Sequence, residues 1–180
     1  QIAQVQDAIA KKASAIVIQA ADADGIVPAI KQANKANIPV FAVNANVGEG
    51  ADVVSFVGAD QSEMGAGAAK LVKEARPDGA KIALIQGVVG NPIVTVRTDG
   101  FTKALAGDDA YPIVATVTDK FTSDGNLAAV QDLLAKYPKG QLDAIVAQGG
   151  QLYVGAKYAA SHGRTDIAFI ANDYPEQIEA

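Results

Sequence analysis

Two rhythms of apolar positions alternate along the chain. Ile2, Val5 and Ile9 recur at helical spacing, and the run Ala15-Ile16-Val17-Ile18 that follows has the length of a strand. The pair then repeats. Ile26, Ala29, Ile30 and Ala33 share one helical face, with Asp22 and Asp24 as candidate N-caps, Pro28 tolerable in a first turn and Asn37 at the end. A strand over 39–43 comes next, and the Gly-, Asn- and Asp-rich stretch 44–52 reads as a loop into another strand at 53–57. Met64, Ala68, Leu71 and Val72 make a third helical face, closed by Arg76-Pro77-Asp78-Gly79. The remainder predicts a strand at 81–86, a helix from about 92 to 106, a strand at 113–117, a helix from about 123 to 136, a strand at 144–147, a helix at 152–161 and a strand at 167–171.

Helices alternating with almost continuously apolar strands predict an α/β protein, with parallel sheets covered by helices and joined by right-handed crossovers. Ligands on such sheets bind beyond the carboxyl ends of the strands. That rule selects the loops at 20–24, 44–47, 87–95, 118–122, 148–151 and 172–175.

Composition narrows the function classes. Hydrophobic residues are 49% and charged residues 19% of the 180, spread rather than blocked, as a packed globular core requires. The longest apolar stretches fall far short of the ~20 residues that span a bilayer. A net charge of −5 and a pI near 4.8, with no clustering of Lys and Arg, argue against a nucleic-acid partner. Cysteine is absent, which removes disulfides, thiol chemistry and Cys-based zinc sites. The chain opens at Gln1 inside a helical period and stops just after another helix begins, so it reads as a fragment of a longer protein.

An enzyme needs a nucleophile, a base or a metal, and the selected loops offer little. His162, the single histidine, precedes Gly163 at a predicted helix end and reads as a cap. There is no Gly-x-Ser-x-Gly elbow, no His-Glu-x-x-His pair and no Walker A loop. Gly87-Val88-Val89-Gly90 follows a strand but lacks dinucleotide spacing; a tight turn with Asn91 capping and Pro92 in the first helical turn accounts for it, and its backbone could still face a ligand. Gly65-Ala66-Gly67-Ala68-Ala69 lies on a helix, where glycine costs about 1 kcal/mol against alanine, so close packing is expected there. Asp119 and Asp173 both follow strands, and a binding carboxylate is simpler than a catalytic pair. No cofactor motif and no metal-ligand set is found.

In order and spacing, several stretches resemble the ribose-binding protein family, the periplasmic receptors of sugar ABC importers. Val5-Gln6-Asp7, Asp22-x-Asp24 and Ala33-Asn34-Lys35-Ala36-Asn37-Ile38-Pro39-Val40 look like its first lobe. Gln86-Gly87, Arg97-x-x-Gly100-Phe101, Asp132-Leu133-Leu134 with Pro138, and Asp143-Ala144-Ile145-Val146-Ala147-Gln148 look like its second. The resemblance implies the type I periplasmic binding protein fold: two Rossmann-like lobes joined by a hinge and closing on a ligand. It assigns 1–59 to a partial N-terminal lobe ending in the hinge strand, and 60–180 to a C-terminal lobe truncated in its last helix.

The same resemblance places Arg97 where the family has its ligand-binding arginine, Phe121 where an aromatic packs on the sugar's apolar face, and Asp173 where a carboxylate accepts from hydroxyls. Taken alone, the residues also fit a surface ion pair, core packing and a helix N-cap, respectively. Two places depart from the pattern. Asn44 and Ala45 stand where ribose receptors carry an acidic-basic pair, and Gly149 and Gly150 stand where they carry Asn-Asp. Each unmade hydrogen bond to a buried hydroxyl costs about 1–3 kcal/mol, which argues against ribose in its usual pose. The expected ligand is a larger sugar, a polyol or another small polar metabolite. Gly149 and Gly150 would make room for it, with Asn44, Asn46, Asn91, Gln148 or Gln151 supplying contacts.

The resemblance thus implies a monomeric, non-enzymatic binder in the periplasm, or an extracytoplasmic lipoprotein, that delivers its ligand to a membrane ABC permease. The same fold also serves as the effector domain of LacI-type transcription regulators, and an α/β enzyme acting on a sugar is a third reading.

Overall fold

The computed structural model describes residues 1–172; Asp173, expected at the ligand, lies outside them. In chain order the elements are α1 (Ile2–Ala10), β1 (Ile16–Ile18), α2 (Val27–Lys35), β2 (Val40–Val43), β3 (Ser55–Val57), α3 (Gln61–Ala75), β4 (Ile82–Gln86), α4 (Pro92–Leu105), β5 (Ile113–Thr118), α5 (Ser123–Lys136), β6 (Ala144–Ala147), α6 (Leu152–Ser161) and β7 (Ala168–Ile170). Every element predicted between residues 2 and 171 is present; the helix expected after them lies outside the described residues. Neither Asp22 nor Asp24 caps α2, whose N-cap is Ile26 without a side-chain bond. A turn intervenes, and Asp22 Oδ1 instead accepts from the Asp24 and Gly25 amides at 3.1 and 2.9 Å.

Two compact units form. The first holds Gln1–Asp60 with Gly90–Thr95; the second holds Gln61–Val89 and the chain from Val96 onward. In the first, a parallel sheet in the order β1-β2-β3 packs one face against α1 and α2, burying Val5, Ile16, Ile18, Ile30 and Val40. Val17 and Val57 are exposed.

The second unit is a parallel sheet in the order β5-β4-β6-β7. Its central strands are apolar throughout because helices cover both faces. Ile82 and Leu84 of β4, with Ala144 and Val146 of β6, pack toward α3 and α4 around Phe101. The alternate residues Ala83, Ile85, Ile145 and Ala147 pack toward α5 and α6 around Val130 and Leu152. Fully burying a side chain such as Phe101 or Ile85 contributes about 1.5–3 kcal/mol.

The α3–α4 crossing explains the glycines. A Cβ on Gly65 would overlap the Arg97 carbonyl, and one on Gly100 would overlap the Ser62 carbonyl, so the two helix backbones meet with no side chain between them. Gly67, on the exposed side of α3, meets nothing.

The amino-terminal edge of the sheet is tied by polar groups. Arg76 donates to the Asp143 and Asp166 carbonyls at 3.2 and 2.6 Å, and Asp143 Oδ2 accepts from the Lys81 amide at 2.8 Å. Arg164 donates to both carboxylate oxygens of Asp166, at 3.0 and 3.2 Å, and to the Tyr137 carbonyl at 2.9 Å. The Arg164 guanidinium holds the Asp166 carboxyl down at about 2, helped by the Gly140 amide and opposed by burial. Among the described residues no helix is long and apolar enough to cross a membrane.

Two outcomes follow for stability. Gly65→Ala lowers it by about 1–3 kcal/mol through overpacking, whereas Gly67→Ala raises it by up to about 1 kcal/mol, measured as shifts of the urea midpoint. The Asp166 carboxyl lies below its ordinary value of ~3.9, so its contribution is complete above that pH and disappears as pH falls toward 2. Asp166→Asn is therefore less stable at neutral pH and shows a flatter acid limb between about pH 4 and pH 2.

Candidate functional site

Strand order in the second unit marks one place for a site. β4 leads through α4 to β5 on one side, and β6, on its other side, leads into α6, with α4 and α6 on opposite faces of the sheet. Such a switch point, beyond the carboxyl ends of the strands, is where open α/β sheets place their ligands. Gly87, Gln148 and Gly149 stand there, joined by the loop after β5.

That loop is an unusual piece of backbone. Lys120 and Phe121 are consecutive non-glycine residues with φ of 54° and 58°, a left-handed conformation costing about 1–2 kcal/mol per residue. Asp119 offsets this cost. It is buried, and its carboxylate accepts from the Phe121 amide at 2.8 Å and from Asn126 Nδ2 at 3.1 Å. Thr122 then caps α5 by accepting from the Gly125 amide at 3.1 Å. Asp119 is thus engaged in shaping the turn that carries Phe121, and its carboxylate is bonded within the protein.

The Phe121 ring lies over two bare Cα atoms. A Cβ on Gly87 would overlap the ring, and one on Gly149 would stand 2.6 Å from its Cδ1 and 3.0 Å from Gln151 Oε1. The space opened by the missing side chain at 149 is therefore held by the protein's own ring and carboxamide.

Arg97 projects from α4 and is 3% exposed, so it is not a surface group. Its Nε donates to Gln61 Oε1 at 2.7 Å, Nη1 donates to the Gln148 carbonyl, and Nη2 lies 3.6 Å from Met64 Sδ. The guanidinium thereby ties α3 and α4 to the loop after β6. Met64 was read only as part of the apolar face of its helix, and Gln61 escaped the sequence reading, although it is one turn before Gly65 and so shares its helix face.

Gln148 is 1% exposed, and its Oε1 has no hydrogen-bond partner; Gln151 Oε1 is likewise buried and unpartnered. The structure thus brings Arg97, Phe121, Gln148 and Gly149 together on the second unit. Asn44 and Asn91 belong to the first. Asn44 follows β2 at φ 59° with its amide donating to the Val57 carbonyl at 2.9 Å, and Ala45 beside it is buried. Asn91 Oδ1 accepts from the Ile93 amide at 2.9 Å, the capping role its place before Pro92 suggests. His162 ends α6 with Nδ1 2.9 Å from the Tyr158 carbonyl, again a cap. Among the described residues no group of three or more His, Asp and Glu is placed to hold a metal ion.

A family model described as periplasmic binding protein domain matches residues 1–179. The ribose import binding protein of Escherichia coli is 29% identical over 174 residues, 96% of this chain and 57% of that protein. The xylitol-binding protein of Mycolicibacterium smegmatis is 26% identical over 174 residues, again 96% of this chain and 49% of its own length. This chain thus spans about half the length of these curated relatives. Among solved structures, a Caulobacter myo-inositol binding protein bound to myo-inositol superposes with a TM-score of 0.91 at 24% identity, over 99% of this chain and 62% of that one; a likeness at that identity shows the fold.

Asp119→Ala removes the acceptor of two buried donors and is expected to lower stability by about 1–3 kcal/mol, with faster amide exchange at Phe121, read by urea titration and hydrogen exchange. Unchanged exchange there would remove Asp119 as the organiser of the turn.

Proposed function

Because this chain belongs to the periplasmic binding protein domain family, we propose that the protein of which it is part captures a small hydroxylated ligand reversibly and delivers it to a membrane ABC permease. The observation that carries this reading is the carboxyl edge of β4 and β6, where an aromatic ring stands beside buried acceptors without partners. A sugar or polyol complements both, because its C–H face packs on a ring and its hydroxyls donate. The names of the relatives support the same class, being receptors for ribose and xylitol, and favour a transport receptor over the effector domain of a LacI-type regulator.

The proposed ligand contacts are Arg97, Phe121, Gln148 and Gly149 on the second unit and Asn44 and Asn91 on the first, with Asp173 retained from the sequence pattern. We further propose a first lobe over 1–59 and a second from residue 60, a periplasmic location, a monomer and no catalytic step. Binding without chemistry suits a site in which the Asp119 carboxylate is committed to its own loop.

Ribose itself is not the proposed ligand, since Ala45 is buried and Gly149 carries no side chain. Titration calorimetry of the full-length protein against a panel of pentoses, hexoses, inositols and linear polyols is expected to find one class bound at least about tenfold more tightly than ribose, a difference of about 1.4 kcal/mol. Tight ribose binding without preference for any other member would overturn the ligand assignment, and no binding at all would overturn the function.

A further inference from the structure

The four-residue loop Gln148-Gly149-Gly150-Gln151 leaves two buried carboxamide oxygens without a hydrogen-bond partner. A buried acceptor that is not satisfied costs free energy, and where a native chain retains one, a water, an ion or a ligand can satisfy it. Gln151 has the more telling position. It is the N-cap residue of α6, yet its side chain makes no capping bond. Instead its Oε1 lies 3.0 Å from the point where a Cβ of residue 149 would stand, beside Cδ1 of the Phe121 ring at 2.6 Å from the same point.

Resting on the ligand-capture reading above, we propose that Gln151 is a specificity-determining residue. Its carboxamide reaches back over the bare Cα of Gly149, takes the place of a residue-149 side chain, and accepts a hydrogen bond from one hydroxyl of the bound ligand next to Phe121. Two features make the arrangement work together. Gly149 must lack a side chain, because any Cβ there meets both the ring and Oε1. Gln151 needs an acceptor that stays uncommitted in the free protein, and it has one because it forgoes the helix cap. The oxygen demands a donor, so the ligand position it reads carries a hydroxyl or an N–H rather than an ether or a carbonyl oxygen.

The test combines a substitution with ligand analogues. The full-length protein and its Gln151→Leu variant are titrated with the tightest ligand of the sugar and polyol panel and with each of its monodeoxy analogues. In the wild type, one analogue binds about 5- to 100-fold more weakly than the parent; Gln151→Leu loses the same factor for the parent and binds that analogue and the parent alike. The melting temperature of the ligand-free variant equals or exceeds that of the wild type, since an unsatisfied acceptor has been removed. An unchanged parent affinity in Gln151→Leu overturns this assignment alone, as does an equal loss for the parent and every analogue. A clear drop in the ligand-free melting temperature also overturns it, by showing that the oxygen has a partner within the protein. If the wild type binds no member of the panel, the capture reading falls, and this assignment with it.

Discussion

The second unit depends on a place where two helices touch backbone to backbone. Gly65 of α3 and Gly100 of α4 remove the side chains that would hold these helices apart. With the axes so close, Gln61 and Met64 come within reach of Arg97 one turn away, and Arg97 in turn reaches the carbonyl of Gln148 across the end of the sheet. A steric allowance on one face of the sheet is converted into the position of a loop at its edge. The guanidinium suits this task because its planar fork can serve several acceptors at once and stays charged when buried.

The two edges of the sheet contrast in chemistry. At the amino-terminal edge, Arg76, Asp143, Arg164 and Asp166 satisfy one another and the neighbouring carbonyls. At the carboxyl edge, Gln148 and Gln151 keep oxygens in reserve and the backbone of Lys120 and Phe121 is held in a costly conformation. Stability resides at one end and unsatisfied bonding capacity at the other, the arrangement expected where binding is the function.

The elements were legible in the sequence because the central strands β4 and β6 are almost wholly apolar on both faces while the helices carry their buried residues at helical spacing, so the two periods do not blur. Gly65 was legible as a packing residue because a glycine in a helix is a local cost that close packing offsets, although Gly67, read the same way, meets nothing. The candidate site was legible only as a set of positions. Arg97 and Phe121 both come to the carboxyl edge of the second sheet, yet Arg97 is buried rather than at the surface, and the room expected at Gly149 is taken by Phe121 and Gln151. Which group fills a vacated space depends on side chains distant in sequence, here residue 121 against residues 87 and 149, and no periodicity encodes that. The capping expected of Asp22 failed for a similar reason, since a turn with its own bonding needs lay between it and the helix.

The left-handed pair at Lys120 and Phe121 also bears on how the second unit can diverge. A substitution at 121 must satisfy a backbone that few residue types enter cheaply, and β-branched residues least of all. Gln151, by contrast, has φ of −85° and ψ of 0°, on the negative-φ side of the map, where a side chain carries no left-handed penalty. Descent with modification would therefore run along the loop after β6, where single exchanges meet no backbone toll, while the ring at 121 persists as an heirloom of the fold.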